Sequence, residues 1–214
     1  MINDTLQHKA MRRRLVETIA EKGITNRAVI DAIGRIPRHL FMESGFIKFA
    51  YKDQAFPIGA GQTISQPYTV AFQSQLLNVK ANDKILEVGT GSGYQAAVLI
   101  ELGAQVFTIE RQKELYVKVQ QLLPTIGYHP RFFYGDGYKG LPTYGPFDGI
   151  IVTAGAPYIP DDLKLQLKVG ARLVIPVDNG ATQVMVVIER RGENEFDEQH
   201  FGNFSFVPLL KGTE

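Results

Sequence analysis

A strand-like run, Lys84-Ile85-Leu86-Glu87-Val88, passes without a break into Gly89-Thr90-Gly91-Ser92-Gly93 and then into a helical segment, Tyr94 to Leu102. This junction limits the fold more than any other feature. Glycines at alternating positions let the backbone turn sharply and let a ligand approach the main chain. The alternation then continues. Gln105 to Glu110 reads as a strand, followed by a helix with Leu115, Val119 and Leu122 on one face and Pro124 near its end. Arg131–Tyr134 and Phe147–Val152 read as strands, Leu163 to Leu167 as a short helix, and Ala171–Ile175 as a strand. Gln183–Ile188 and Asn203–Val207, separated by the charged turn Arg190 to Glu198, read as an antiparallel hairpin on one sheet edge. Parallel neighbours need right-handed crossovers, so helices must cover both faces. The pattern predicts an α/β fold with a doubly wound, mostly parallel seven-stranded sheet of Rossmann-like type.

Ahead of that core the chain reads as helical. Met11, Leu15 and Ile19 recur at helical spacing, and Gly23 ends the helix. Thr25 is placed to cap a second helix with Val29, Ile30 and Ile33 on its apolar face, closed by Pro37. Arg12-Arg13-Arg14 reads as a solvated helix face, and residues 38–54 as irregular. No repeat or linker divides the chain. Residues 1–214 are expected to form a single domain, with 1–58 a helical extension and 59–214 the core.

Composition removes several classes. Lys and Arg number 23 against 22 Asp and Glu, so no whole-chain basic field exists to grip nucleic acid or anionic lipid. The chain has no cysteine, which excludes disulfides, thiolate zinc sites and cysteine nucleophiles. His8, His39, His129 and His200 do not recur at metal-ligand spacing, so no metal is expected. The start, Met1 to Lys9, lacks the apolar core of a secretory signal, which with the missing cysteine points to the cytoplasm. Ala55 to Val79 carries no charge, yet Pro57, Pro67 and four glutamines make it unfit to span a membrane.

The glycine turn selects its ligand by what it lacks. A phosphate loop needs a lysine after its glycines, and Tyr94 stands there. The dinucleotide fingerprint needs glycine or alanine at the same position, which argues against a nicotinamide oxidoreductase. Glu110, at the next strand end, is placed to accept hydrogen bonds from ribose hydroxyls, and Asp136 in Gly135-Asp136-Gly137 from an adenine amino group. Singly, each feature also reads as a tight turn or a helix N-terminal carboxylate. Jointly they fit S-adenosylmethionine, which has ribose and adenine but no phosphate.

Upstream lies Gly59-Ala60-Gly61-Gln62-Thr63-Ile64-Ser65-Gln66-Pro67-Tyr68. Its hydroxyls and amides suit a loop that folds over the strand ends and binds a substrate carboxylate beside a sulfonium. Ser65 and Pro67 also suit a polar turn leading into a capped helix, and both readings stay open. A carboxylate acceptor is already ionised at neutral pH, so its methylation needs alignment and desolvation rather than a base. No paired acid and base stand out near the motif, which points the same way.

These blocks, with Pro37-Arg38-His39-Leu40-Phe41, Pro57-Ile58-Gly59, Leu86 to Gln95, Ile109-Glu110-Arg111 and Phe206-Val207-Pro208-Leu209, resemble the protein-L-isoaspartate O-methyltransferase family from about residue 10 to 209. The resemblance implies methyl transfer from S-adenosylmethionine, leaving S-adenosylhomocysteine, to the α-carboxylate of L-isoaspartyl residues in damaged proteins and peptides, without a metal and as a monomer. The ester then closes to a succinimide, which initiates repair. It implies that Ser65 orients the substrate carboxylate and does not act as a nucleophile. Gln62, Thr63, Ile64 and Tyr68 would line cofactor and substrate, with Gly89, Thr90 and Gly91 at the methionine end. Glu110 would hold the ribose, and Asp136 with Gly137 the adenine side. The last two strands would be exchanged relative to most methyltransferases. Leu210 stands where some relatives carry a small polar residue. An amino-methyltransferase is disfavoured, because Thr153-Ala154-Gly155-Ala156-Pro157-Tyr158 replaces the Asn/Asp-Pro-Pro-Tyr expected after the fourth strand. A cofactor-binding module without catalysis remains an alternative on pattern alone.

Overall fold

A computed structural model of the protein describes residues 4–214. Helix α1 spans Leu6–Glu21, started by Thr5, whose hydroxyl accepts from the His8 amide, and it buries Leu15 and Ile19. The arginine run is not one solvated face: Arg13 and Arg14 are exposed, but Arg12 is buried. Its guanidinium donates to both Asp4 oxygens at 3.0 and 2.9 Å, to Gly34 O at 2.8 Å and to Tyr51 Oη at 3.0 Å. A buried cation is tolerable only with its donors satisfied in this way. Helix α2 spans Arg27–Arg35 and is capped by Asn26, not Thr25, with Asn26 Oδ1 accepting from the amides of Ala28 and Val29. The Thr25 and Asn26 amides both donate to Gln75 Oε1, so Thr25 sits one residue too early to cap.

Folding gathers histidines that look scattered in sequence. The His8 and His39 rings lie 3.9 Å apart beside Asp4, close enough for one ion to reach all three. The Arg12 guanidinium holds both Asp4 oxygens, and Tyr51 Oη lies 2.7 Å from His39 Nδ1.

Strands β1 (Phe56–Gly59) and β2 (Gln62–Ile64) form an antiparallel hairpin through Ala60-Gly61, both at positive φ. This twist matches the two-residue turns that suit hairpins. The expected boundary at residue 58/59 therefore falls inside β1. Helix α3 (Pro67–Leu77) follows with proline in its first turn, and its N-cap Gln66 supplies no side-chain bond. Ser65 does not cap the helix.

The core continues as β3 (Lys84–Val88), α4 (Tyr94–Glu101), β4 (Gln105–Glu110), α5 (Lys113–Thr125), β5 (Arg131–Tyr134), β6 (Phe147–Val152), α6 (Asp161–Leu165), β7 (Leu167–Asp178), β8 (Gln183–Arg190) and β9 (Phe196–Phe204). Among the described residues these strands make a seven-stranded sheet in the order β5-β4-β3-β6-β7-β8-β9. Pairing is parallel from β5 to β7 and antiparallel at β7–β8 and β8–β9. With β8 beside β7 and β9 at the edge, the last two strands stand in the exchanged order that the resemblance implied. The sheet buries both faces. Ile85, Val106, Ile151 and Val174 pack with apolar residues of α1–α5, while Leu86, Phe107, Ile150 and Leu173 pack with Leu163 of α6. Residues 85 and 86 face opposite ways because strand side chains alternate.

Several expected boundaries move. The charged turn is confined to residues 191–195, and β9 runs Phe196–Phe204 rather than through Val207. Its side chains are mostly exposed, so polar residues 197–200 fit an edge strand and give no apolar alternation to read. Likewise α6 ends at Leu165, and Leu167 already belongs to a long β7.

Candidate active site

The order of the sheet reverses between β3 and β6, and ligands bind beyond the carboxyl ends of strands at such a point. The glycine turn lies there. Gly89, Gly91 and Gly93 have φ of +95°, +52° and +81°, which side chains rarely adopt. Space is equally restrictive. A Cβ on Gly89 would sit 2.5 Å from Thr153 Oγ1, and one on Gly93 2.7 Å from Val119 Cγ2. Thr153 Oγ1 donates to Gly89 O at 2.6 Å, so the end of β6 fastens the turn in place.

Glu110 ends β4 nearly buried and braces the same turn. Its Oε2 accepts from the Gly91 amide at 2.9 Å and its Oε1 from the Gln112 amide at 2.9 Å. Each oxygen keeps a lone pair for a further donor. Behind Thr90 runs a buried file of polar groups. Thr90 Oγ1 lies 2.6 Å from Thr108 Oγ1, which donates to Glu87 Oε2 at 2.5 Å. Burial pushes the Glu87 carboxyl up to about 8, with Glu110 adding to the push and the Thr108 hydroxyl opposing it.

A cavity opens above these strand ends. Gln62, Thr63, Ile64 and Ser65 from the hairpin line one side, and Gly89, Thr90, Gly91, Glu110 and Gly137 line the base. Nine of the expected site residues thus come together; Tyr68 and Asp136 are absent from this lining. Asp136 also braces the backbone, accepting from the Tyr138 amide at 2.9 Å and from the Gly212 amide at 2.9 Å, and, as in Glu110, each oxygen keeps a lone pair for a further donor. Tyr68 belongs to an adjoining groove, lined also by Lys22, Gln66, Thr69, Phe204 and Phe206. Thr63, Ser65, Thr153 and Val207 border both spaces, so Ser65 stands where cavity and groove meet. This shared wall is uncharged, as expected of the loop, although Lys22 brings an ammonium to the groove itself.

Sequence reasoning passed over several lining residues. Thr153 and Ala154 follow β6, a position whose proximity to Gly89 appears only once β3 and β6 are known to be neighbours. Arg111 and Gln112 also line the cavity next to Glu110. Arg111 is not a free cation, since it donates to Glu214 Oε2 at 3.0 Å and to Gly212 O at 3.2 Å. Leu210, whose side-chain contact the sequence left open, borders the cavity with Val207, Pro208 and Leu209. Among the described residues no helix is long and apolar enough to cross a membrane.

The family model described as protein-L-isoaspartate(D-aspartate) O-methyltransferase matches residues 10–214. A Flavobacterium johnsoniae protein named protein-L-isoaspartate O-methyltransferase is 59% identical over 211 residues, covering 98% of this chain and 99% of its own. A Salinibacter ruber protein of the same name is 45% identical, covering 99% and 96%. A solved structure from Plasmodium falciparum, described as a β-aspartate methyltransferase in complex with S-adenosyl-L-homocysteine, superposes with a TM-score of 0.81 at 25% identity over 94% of this chain and 98% of that one. On the strength of the family match and these identities, the chain belongs to the protein-L-isoaspartate(D-aspartate) O-methyltransferase family.

Proposed function

We propose that the protein transfers a methyl group from S-adenosylmethionine to the α-carboxylate of L-isoaspartyl residues in damaged proteins and peptides, whose esters then close to succinimides. The observation that carries this reading is the wall of Thr63, Ser65 and Thr153 shared by the cavity and the groove. A methyl donor in the cavity and an acceptor in the groove would meet across hydroxyls without formal charge. A fixed anion there would repel the acceptor, and a fixed cation the sulfonium.

The residues fit the cofactor. Glu110 offers acceptor capacity for ribose hydroxyls while its own amide partners hold it rigid. Gly137 keeps the adenine side flat, since a Cβ there would lie 2.5 Å from Val88 Cγ1. S-adenosylmethionine, when bound, supplies a methyl group on a sulfonium. The protein's part is to bind and orient. The Ser65 hydroxyl donates to the acceptor carboxylate, while Gln62, Thr63 and Ile64 line the junction. The hairpin keeps bulk water away from an anion that reacts faster once desolvated. No base is required, because the acceptor is ionised at neutral pH. Tyr68 acts on the substrate side of that junction, and Asp136 holds the backbone of the adenine side with a lone pair left on each oxygen for the adenine amino group.

The same reading has the chain act as a monomer in the cytoplasm without nucleic acid or membrane. In its support, Lys and Arg number 23 against 22 Asp and Glu, and among the described residues no helix is long and apolar enough to cross a membrane. Incubation with methyl-labelled S-adenosylmethionine and paired aspartyl and isoaspartyl peptides tests the proposal. Base-labile label on the isoaspartyl peptide alone is expected; label on neither peptide, or equally on both, refutes it.

A further inference from the structure

Ser65 has no capping role, and the first turn of α3 receives no side-chain bond from its N-cap Gln66. A residue from elsewhere in the sequence supplies what is missing. Asp53 Oδ1 accepts from the Tyr68 amide at 2.8 Å, and Asp53 Oδ2 accepts from Gln66 Nε2 at 3.0 Å. One carboxylate thus grips the residues that immediately follow Ser65, at a helix start where negative charge is favoured. The same Oδ2 accepts from Lys22 Nζ at 2.5 Å, and Lys22 is the C-cap of α1. The Asp53 side chain is only 8% exposed. Its neighbour is fixed as well, because Arg38 Nη2 donates to Gln54 O at 3.3 Å. Two bonds therefore run from the N-terminal extension to the segment that carries Ser65, and two more within the extension hold Asp53 and its neighbour in place.

We propose that Asp53 is a positioning residue for methyl transfer, holding Ser65 at the junction of cavity and groove through Gln66 and the first turn of α3. This rests on the assignment of Ser65 as the group that orients the acceptor carboxylate. Charged acceptors bind short hydrogen bonds strongly, and a hydroxyl displaced by about an ångström loses alignment with its target. Asp53 reaches neither the cavity nor the groove lining, so its effect must pass through the segment it holds. The base of the cavity, built from Gly89, Thr90, Gly91, Glu110 and Gly137, has no bond to it.

A double-mutant cycle separates this role from simple structural support. Asp53→Ala should lower kcat on an isoaspartyl peptide by roughly ten- to a hundredfold, the scale of an ångström-level misplacement. The dissociation constant for S-adenosylhomocysteine should move less than about threefold, well below the fall in kcat. Combined with Ser65→Ala, Asp53→Ala should cost almost nothing more, because the hydroxyl it positions is gone. Full additivity, wild-type turnover in Asp53→Ala, or loss of cofactor affinity in step with kcat would each overturn the proposal. Should Asp53→Ala fail to bind S-adenosylhomocysteine at all, Asp53→Asn keeps an acceptor for the Tyr68 amide and must show the same non-additivity. Wild-type turnover in Ser65→Ala alone would overturn the Ser65 assignment and this proposal together, whereas a loss there with an additive double variant overturns only the role of Asp53.

Discussion

Glu110 holds two backbone amides before any ligand arrives, so its removal acts twice. Glu110→Ala should weaken S-adenosylhomocysteine binding by about 1.5–3 kcal/mol, the scale for hydrogen bonds to a charged group. It should also lower the urea midpoint, since the partly buried amides of Gly91 and Gln112 lose their acceptor. Calorimetry reads the first effect, and unchanged affinity would remove Glu110 from the ribose site. Ser65 predicts the opposite pattern: Ser65→Ala should lower kcat while affinity for S-adenosylhomocysteine stays within about twofold, because only the acceptor loses a partner. An equal loss in both quantities would place Ser65 on the cofactor instead. Most of this site was legible from residue types at strand ends, because the glycine turn and Glu110 sit on consecutive strands of one crossover unit. The bracing role of Asp136 was not, since its second amide partner, Gly212, lies 76 residues further along the chain. Thr153 and Asp53 escaped for the same reason.

At the scale of elements, the glycine that opens α4 does two jobs and one that follows α1 does one. Gly93 has a positive φ, and a Cβ on it would collide with Val119 and Leu123 of α5; Gly23 has a positive φ but open space around its Cβ position. Gly93→Ala should therefore cost roughly 2–4 kcal/mol, combining conformational strain with overpacking, and Gly23→Ala only about 1–2 kcal/mol of strain. Urea denaturation of the two variants checks the difference, and equal losses would mean that α5 yields without cost. Elements with apolar faces were read from sequence close to their observed limits: β3, β4, β5 and β6 begin and end at the predicted residues. The hairpin β1–β2 and the start of β9 were not. A short hairpin and an exposed edge strand carry too few buried positions for period-two patterning to show. Their place is decided by neighbours: β1–β2 by its turn and by the cavity it borders, β9 by the register it shares with β8.

Among the buried titratable groups of the molecule, Glu87 and His39 have opposing effects on stability. Glu87 is raised from the ordinary 4.5 to about 8, chiefly by burial. The folded chain then binds a proton that the unfolded chain has released, so its contribution to stability is lost as pH rises from about 4.5 to about 8. His39 is lowered from 6.5 to about 4, by burial first and then by the charge of His8, against the opposing pull of Asp4 and with Arg12 adding to it. There the unfolded chain binds the proton first, and stability is lost as pH falls from about 6.5 to about 4. The groups also lie at different levels of the architecture: Glu87 in β3 under the cavity, His39 in the seam between α1 and the core. Single variants isolate them. Glu87→Gln, which keeps the hydrogen-bonding shape without the ionisation, should gain on the parent in urea midpoint as pH rises toward 8 and then hold that gain. His39→Gln should gain on the parent only as pH falls below about 6.5. Midpoints measured at five pH values from 5 to 9 decide between this pattern and curves that run parallel to the parent. Parallel curves for Glu87→Gln would mean that Glu87 is ionised in the folded protein, and the file from Glu87 through Thr108 to Thr90 would then run toward the carboxylate at every pH.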